Sequence, residues 1–294
     1  MKPGAEAPLV LGLDIGGSSS RARLAEGGRT LSEASAPGAN VALIDPGVVE
    51  ERLTSLIEQL GSPHPATCCA GAAGAEVPAG KRRLEELLAR LLPGASVLVV
   101  HDTRLILAAA GLDVGIALIA GTGSVAYARN DDGHEARAGG WGWMLGDEGS
   151  GAWIVREALR ELMRRREEGV QLSVLGERLL VATESDDLLE TISRVQLYHE
   201  AGQWAALAGE VFDSVALDAG AARIIDSAAD ALASLALRAG AKVGVDGPVV
   251  MAGGLITSFP DLASRVQARV GSATVLEEEP VAGAVRLADR FRGR

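Results

Sequence analysis

The sequence predicts an α/β protein of two similar halves, arranged as two domains with a cleft between them. Three observations predict it. The order strand, glycine turn, strand, strand occurs twice, first in "PLVLGLDIGGSSSRARLAEGGRTLSEASA" and again in "VGIALIAGTGSVAYARN" with "HEARAGG". Helices and further buried strands follow each copy, the mixture that builds layered α/β domains. A chain of 294 residues also suits two domains of about 150 residues each.

Each element has a local reason. "PLVLGLDIGG" is a short apolar run stopped by glycines, hence a strand and a tight turn. "SSRARLAEG" alternates polar and apolar, and with "GRTLSEASA" after Gly27-Gly28 it completes an antiparallel meander. "DPGVVEERLTSLIEQLG" is an amphipathic helix with Asp45 as N-cap, Pro46 in the first turn and Gly61 at its end. "PATCCAGAAG" is a strand entering a glycine-rich loop, "KRRLEELLARLLPG" a helix, "ASVLVVHD" a buried strand and "TRLILAAAG" a short helix. After the second meander the chain is mostly helical from Gly149 to about Gly240. The strand "GPVVMAGG", a helix beginning near Pro260, the short strand "ATVLEE" and the helix "PVAGAVRLADRFRGR" complete it. The boundary between the halves falls near Gly111 to Val114.

Composition narrows the function. A formal net charge of -11 argues against nucleic acid or an anionic membrane as partner, since both require a basic face. Backbone donors and Mg²⁺ can still hold phosphates inside an acidic protein. No charge-free run approaches the roughly 20 apolar residues of a membrane span, and no secretory pattern is evident, so the chain is expected to be cytoplasmic. Cys68 and Cys69 are adjacent, which fits no common metal-ligand spacing and suits small buried strand residues.

Four stretches carry possible chemistry. In "LDIGGSSSRARL" the hairpin tip offers backbone N–H groups and hydroxyls at Gly16, Gly17, Ser18 and Ser19. Glycine lets phosphate oxygens approach the backbone, and Asp14 at the mouth of the turn could hold Mg²⁺ through water. An ordinary Gly-Gly turn would look the same. "IAGTGSVAYA" repeats the device with Gly121, Thr122, Gly123 and Ser124, and two such turns in corresponding places suggest a phosphate clamp. In "VVMAGGLITSFPD", Gly253 and Gly254 could let adenosine lie against the backbone, or simply turn a strand into a helix. Asp102 ends a buried strand in "VLVVHDTRL", where α/β proteins place ligands. It could take the proton of an attacking hydroxyl or serve as a helix N-cap. His101 beside it has no evident partner and reads as structural.

A fifth stretch is unlike a core segment or a linker. "AGGWGWMLGDEGSGAW" gathers three of the four tryptophans, many glycines and the pair Asp147-Glu148. Taken in order, "DIGGSSS", "HD", "GTGS", "GGWGWMLGDEGSGAW" and "MAGG" resemble the N-acetylglucosamine kinase-like branch of the BadF/BadG/BcrA/BcrD ATPase family. That group lies within the sugar kinase, Hsp70 and actin superfold. The resemblance runs over nearly the whole chain, and the tryptophan loop is its most specific part.

The resemblance implies a two-domain actin-like ATPase (ribonuclease H-like) fold. Residues 1–112 would form the first domain, with the helix at about 280–294 packing back on it. Residues 113–294 would form the second, with a helical insertion at about 149–240. It implies ATP and Mg²⁺ as cofactors, an amino sugar as substrate and a homodimer. Gly16 to Ser19 and Gly121 to Ser124 would hold the phosphates, Gly253 and Gly254 would lie beside adenosine, and Asp102 would be the general base for the sugar 6-hydroxyl. Asn40, Thr122, Gly140, Trp141 and Asp147 match sugar-contacting positions, while Trp143 and Trp153 would stiffen the loop and Glu148 to Ser150 would open the next helix. Val125 replaces a frequent Asn, and Gly151 replaces alanine, near the expected 2-substituent. Glucosamine or another hexosamine therefore competes with N-acetylglucosamine. A redox activator ATPase of the same superfold is the other class to weigh.

Overall fold

The computed structural model describes residues 7–291. The chain forms two compact units, one containing residues up to Asp113 together with those from Leu276 onward, the other Val114–Val275.

The first unit begins with β1 (Leu9–Ile15), β2 (Ser19–Glu26) and β3 (Arg29–Pro37), an antiparallel meander. α1 (Pro46–Gln59) follows, its first turn capped by the Asp45 carboxylate accepting from the Gly47 N–H. β4 (Thr67–Ala72), α2 (Pro78–Leu91), β5 (Ser96–His101) and α3 (Asp102–Ala109) complete this stretch. β4 and β5 run parallel to β1, so the sheet order is β3-β2-β1-β4-β5. Every residue of β4 is buried, as a strand covered on both faces requires. Alternation sends Cys68 into the cluster formed with α1 and α2, and Cys69 into the cluster on the opposite face.

The second unit repeats the topology. β6 (Gly115–Ala120), β7 (Ser124–Arg129) and β8 (Glu135–Gly139) form the meander. Where the first unit has only α1, the chain then runs through α4 (Gly151–Glu167), α5 (Val174–Ala182), α6 (Leu188–Gln196), α7 (Ala201–Ala205), α8 (Ala208–Ser214) and α9 (Ala219–Val243). β9 (Val249–Ala252), α10 (Gly254–Ser258), α11 (Pro260–Val270) and β10 (Ala273–Val275) follow. The order β10-β9-β6-β7-β8 is the first sheet again, strand for strand. The five-residue α10 is too short for a periodic signal and reads in sequence as a plain turn. The 25-residue α9 buries Ile225, Leu232, Leu235 and Ala239 against the sheet and ends at Gly244 in the left-handed conformation.

The chain then returns to the first unit as α12 (Pro280–Phe291). It packs on β1, β4 and α3, burying Val281, Ala284, Leu287 and Ala288. The approach is as close as backbones allow. A Cβ at Gly283 would collide with the Leu105 carbonyl oxygen and come within 2.8 Å of the Ala109 N, and one at Gly12 would lie 2.7 Å from the Val285 N. Arg286 reinforces the contact by donating to the Ala108 and Ala109 carbonyls at the end of α3.

Replacing Gly283 with Ala gives a test of opposed signs. Helix propensity alone favours Ala by about 1 kcal/mol, whereas overpacking against backbone costs about 3 kcal/mol. The expected outcome in urea denaturation is a net loss of stability, with a lower midpoint; a gain would mean that α12 does not press on α3.

Candidate active site

The chemistry of the first unit gathers at the C-terminal ends of its parallel strands. Asp14 on β1 pairs in register with Gly71 on β4, and His101 closes β5 beside Ala72. Asp102 is the first residue of α3, and the capping position belongs to His101. Asp14 and Asp102 lie near enough to repel. Burial, then the Asp102 charge, push the Asp14 carboxyl up to about 7, against the pull of Arg21. The Asp14 carboxylate so placed could hold a divalent cation through water, which would neutralise the charge that burial and repulsion resist. Among the described residues no group of three or more His, Cys, Asp or Glu could hold a metal by itself, so such an ion would lean on water and phosphate oxygens.

Beside these carboxylates lies the hairpin turn. Gly16 donates its N–H to the Ser19 carbonyl (2.9 Å), and Gly38 and Ala39 donate to Ser18 and Gly16. The 37–40 segment is thereby laid along the turn, so tightly that a Cβ at Gly38 would strike the Gly17 backbone. Asn40 ends this segment. Its Oδ1 accepts from the Ala42 and Leu43 N–H groups (3.0 and 3.2 Å). Serine hydroxyls, Asn40, Asp14 and Asp102 thus share one end of one sheet.

His101 is not the partnerless residue the sequence suggests. Its Nδ1 lies 2.8 Å from Asp102 Oδ1 and its Nε2 lies 3.3 Å from Glu76 Oε2. Burial disfavours its charge, but the hydrogen bonds and charges of Asp102 and Glu76 outweigh that and raise its pKa to about 9. The Thr103 N–H faces two acceptors, Asp102 Oδ1 at 2.8 Å and His101 Nδ1 at 3.3 Å, and with Nδ1 protonated only the first can accept. The only sequence signal was the dipeptide itself, since Glu76 comes from the β4–α2 connection.

In the second unit three predicted stretches converge on one turn, Gly121 to Ser124. The Gly121 carbonyl accepts from the Gly151 N–H (2.9 Å), and the Ser124 carbonyl from the Gly140 N–H (2.9 Å). A Cβ on Gly121 would stand 3.6 Å from the Gly254 N, so Gly253-Gly254 borders the same turn. Asp147 is the hub. Its side chain lies over Gly123, where a Cβ would come within 2.6 Å of Oδ2. It accepts from the Ser124 and Gly142 backbone N–H groups. Burial pushes its carboxyl up, these two donors oppose that, and the neighbouring Glu148 adds to the rise. Ser124 also donates its hydroxyl to the Glu148 carbonyl (2.8 Å). The 140–150 loop is therefore sewn to the turn at several points.

The tryptophans divide as their surroundings dictate. Trp141 is 74% exposed, with the Arg137 guanidinium 5.5 Å from its ring centre. Trp143 packs on Trp204 at 5.8 Å, its carbonyl accepting from Arg156, and Trp153 packs against the core. Glu148 and Gly149 precede α4 rather than open it. The cap is Ser150, whose hydroxyl accepts from the Trp153 N–H.

The sequence model of the BadF/BadG/BcrA/BcrD ATPase family matches residues 11–288. The chain belongs to this family. It is 29% identical over 240 residues to the N-acetyl-D-glucosamine kinase of Dictyostelium discoideum, covering 75% of this chain and 74% of that one. To the N-acetylmuramic acid/N-acetylglucosamine kinase of Clostridium acetobutylicum it is 39% identical over 108 residues, about a third of each protein's length (35%). The crystal structure of a candidate N-acetylglucosamine kinase from Chromobacterium violaceum superposes with a TM-score of 0.78 at 23% identity, covering 96% of this chain and 99% of that one. The fold is that of the actin-like ATPases and sugar kinases.

Asp147 has φ +54°, a conformation Asp and Asn tolerate better than other side-chain-bearing residues. Three variants separate conformation from hydrogen bonding. Asp147→Asn keeps an acceptor and the backbone tolerance, Asp147→Gly keeps only the tolerance, and Asp147→Ala keeps neither. Stability by urea denaturation is expected to fall in that order, Ala losing about 2 kcal/mol or more. Equal losses for Gly and Ala would discount the strain.

Proposed function

We propose that the chain is an ATP-dependent kinase that phosphorylates an amino sugar, N-acetylglucosamine or glucosamine, at the 6-hydroxyl. One observation carries the reading. Asp102, opening the helix that follows a parallel strand, beside a hydroxyl-rich turn and a second carboxylate, offers a proton acceptor of the kind phosphoryl transfer between oxygens needs. The kinases among the relatives support the class of reaction.

In this reaction the sugar oxygen forms a bond to the γ-phosphorus of ATP as the bond to the β-phosphate oxygen breaks, and ADP leaves. Asp102 takes the hydroxyl proton. Gly17, Ser18 and Ser19 in one unit, and Thr122 and Gly123 in the other, would supply donors to the phosphates, while Gly16 and Gly121, whose N–H groups close their own turns, would leave the backbone bare beside them. Ser124, also of that second turn, anchors the loop. Gly253 and Gly254 leave the backbone bare for adenosine. Mg²⁺ held through water by Asp14 would supply neutralisation of the phosphate charge. Asn40, Thr122, Gly140, Trp141 and Asp147 are assigned to the sugar, with Trp141 as the flat apolar wall. The protein is proposed to act in the cytoplasm as a homodimer.

A redox activator of the same superfold fits this chain less well. Cys68 and Cys69 are buried on opposite faces of β4, so the two sulfurs cannot bind one cluster together. Burial raises both thiols, Cys69 to about 12, away from the thiolate that metals need.

ADP release measured across N-acetylglucosamine, glucosamine, N-acetylmuramic acid, mannosamine and glucose tests the function. Turnover is expected on an N-acetylated or free amino sugar, and none on any of them would sink it. Asp102→Asn is expected to lower kcat by about 10²- to 10⁴-fold with ATP binding, read by calorimetry, nearly unchanged. Near-normal turnover would remove Asp102 from the role of base.

A further inference from the structure

A general base must hold one lone pair still, facing the hydroxyl it deprotonates. We infer that His101, clasped by Glu76, is a positioning residue that locks the Asp102 carboxylate through Oδ1 and leaves Oδ2 presented to the sugar hydroxyl. The inference rests on the kinase reading above and deepens it.

The geometry is asymmetric in the required way. The close polar contacts of the Asp102 carboxylate fall on Oδ1, which lies 2.8 Å from His101 Nδ1 and accepts from the Thr103 N–H at 2.8 Å, an N–H that also stands 3.3 Å from Nδ1. Among the described residues Oδ2 has no such partner, and the side chain is about one-fifth exposed (21%). Two bonds to one oxygen fix the carboxylate plane without consuming the oxygen that must react.

Glu76 decides the ring's state. An imidazole faces a carboxylate at each nitrogen, Asp102 at Nδ1 and Glu76 at Nε2. Only the doubly protonated ring donates to both; a neutral ring must turn a lone pair towards one of them. The Thr103 hydroxyl, 2.6 Å from Nδ1, can share that donor as an acceptor. The charged groups around the ring are thus Glu76 from the β4–α2 connection and Asp102 from α3, with Asp14 acting on Asp102 from β1. Arg104 lies one turn-step further along α3.

The sign of the pH effect follows. The ring's pKa is raised from an ordinary 6.5 to about 9, so the doubly bonded form is complete below the ordinary value, holds through neutrality and is lost as pH rises through about 9. Orientation of the base should be lost in the same range, as an alkaline fall in kcat. No acid limb is assigned to this group.

The experiment compares wild type with His101→Leu, His101→Asn and Glu76→Gln from about pH 6 to about pH 10. It measures kcat and KM for the accepted amino sugar and for ATP, and follows the His101 ring resonances by NMR. His101→Leu is expected to lose about tenfold to a hundredfold in kcat, part of what the base itself contributes, with both KM values within about threefold. His101→Asn, which keeps a donor that cannot titrate, is expected to recover most of the loss and to lack the alkaline fall. Glu76→Gln is expected to move the ring titration down by about one unit or more.

Wild-type and His101→Leu kcat within about twofold of each other would overturn the positioning role. So would a loss confined to KM, an unchanged alkaline fall in His101→Asn, or a wild-type ring titrating near its ordinary value. Should His101→Leu fail to fold by circular dichroism, Glu76→Gln and His101→Asn decide alone. A wild-type protein inert on every amino sugar would instead remove the kinase reading, which the ring titration does not depend on.

Discussion

The first unit depends on how closely α12 can lie against its neighbours. Gly283 brings the helix backbone onto Leu105 and Ala109, and Gly12 lets β1 meet Val285. That gap sets the height of α3 above the sheet. Asp102 is the first residue of α3, so the position of the proposed base relative to Asp14 on β1 follows from the same contact. Thr67 adds to it from β4, its hydroxyl donating to the Ala288 carbonyl at 3.0 Å. The polar end of the sheet is arranged by a close-packed contact behind it, apolar apart from the Thr67 and Arg286 hydrogen bonds.

Most of the architecture was legible because it is written in local signals. Glycine turns, strand alternation, the Asp45 cap and the Pro260 helix start each act over a few residues. The repeat was visible as a pattern, and it appears as two sheets of identical order. The site was legible only in part. Ser124 and Asp147, or His101 and Glu76, come together because separate elements end at the same place, and no local periodicity records that. A histidine at a strand end looks structural until the residue across from it is known.

The tryptophan loop shows how far composition reaches. Glycines and a carboxylate in one segment indicated a backbone doing unusual things near a ligand. The structure adds that the carboxylate also works inward, joining the loop to the Gly121–Ser124 turn through the Ser124 N–H and bracing the loop itself through that of Gly142. Trp143 and Trp153 hold the loop to the helical layer, while Trp141 stands in solvent. One short stretch thus combines an anchored carboxylate, packed rings and an exposed ring, which is why neither a core nor a linker composition describes it.

The order of synthesis meets the order of folding at α12. The first unit's sheet is complete once β5 has emerged, yet the helix that covers one of its faces is made only after the whole of Val114–Val275. Until then Val10, Cys69 and Val100 lack the cover that Ala284, Leu287 and Ala288 provide. On the ribosome the second unit can close first, while the older half waits with an open apolar face. During that interval the apolar face of Val10, Cys69 and Val100 stands without its last helix, so the half made first is the half completed last.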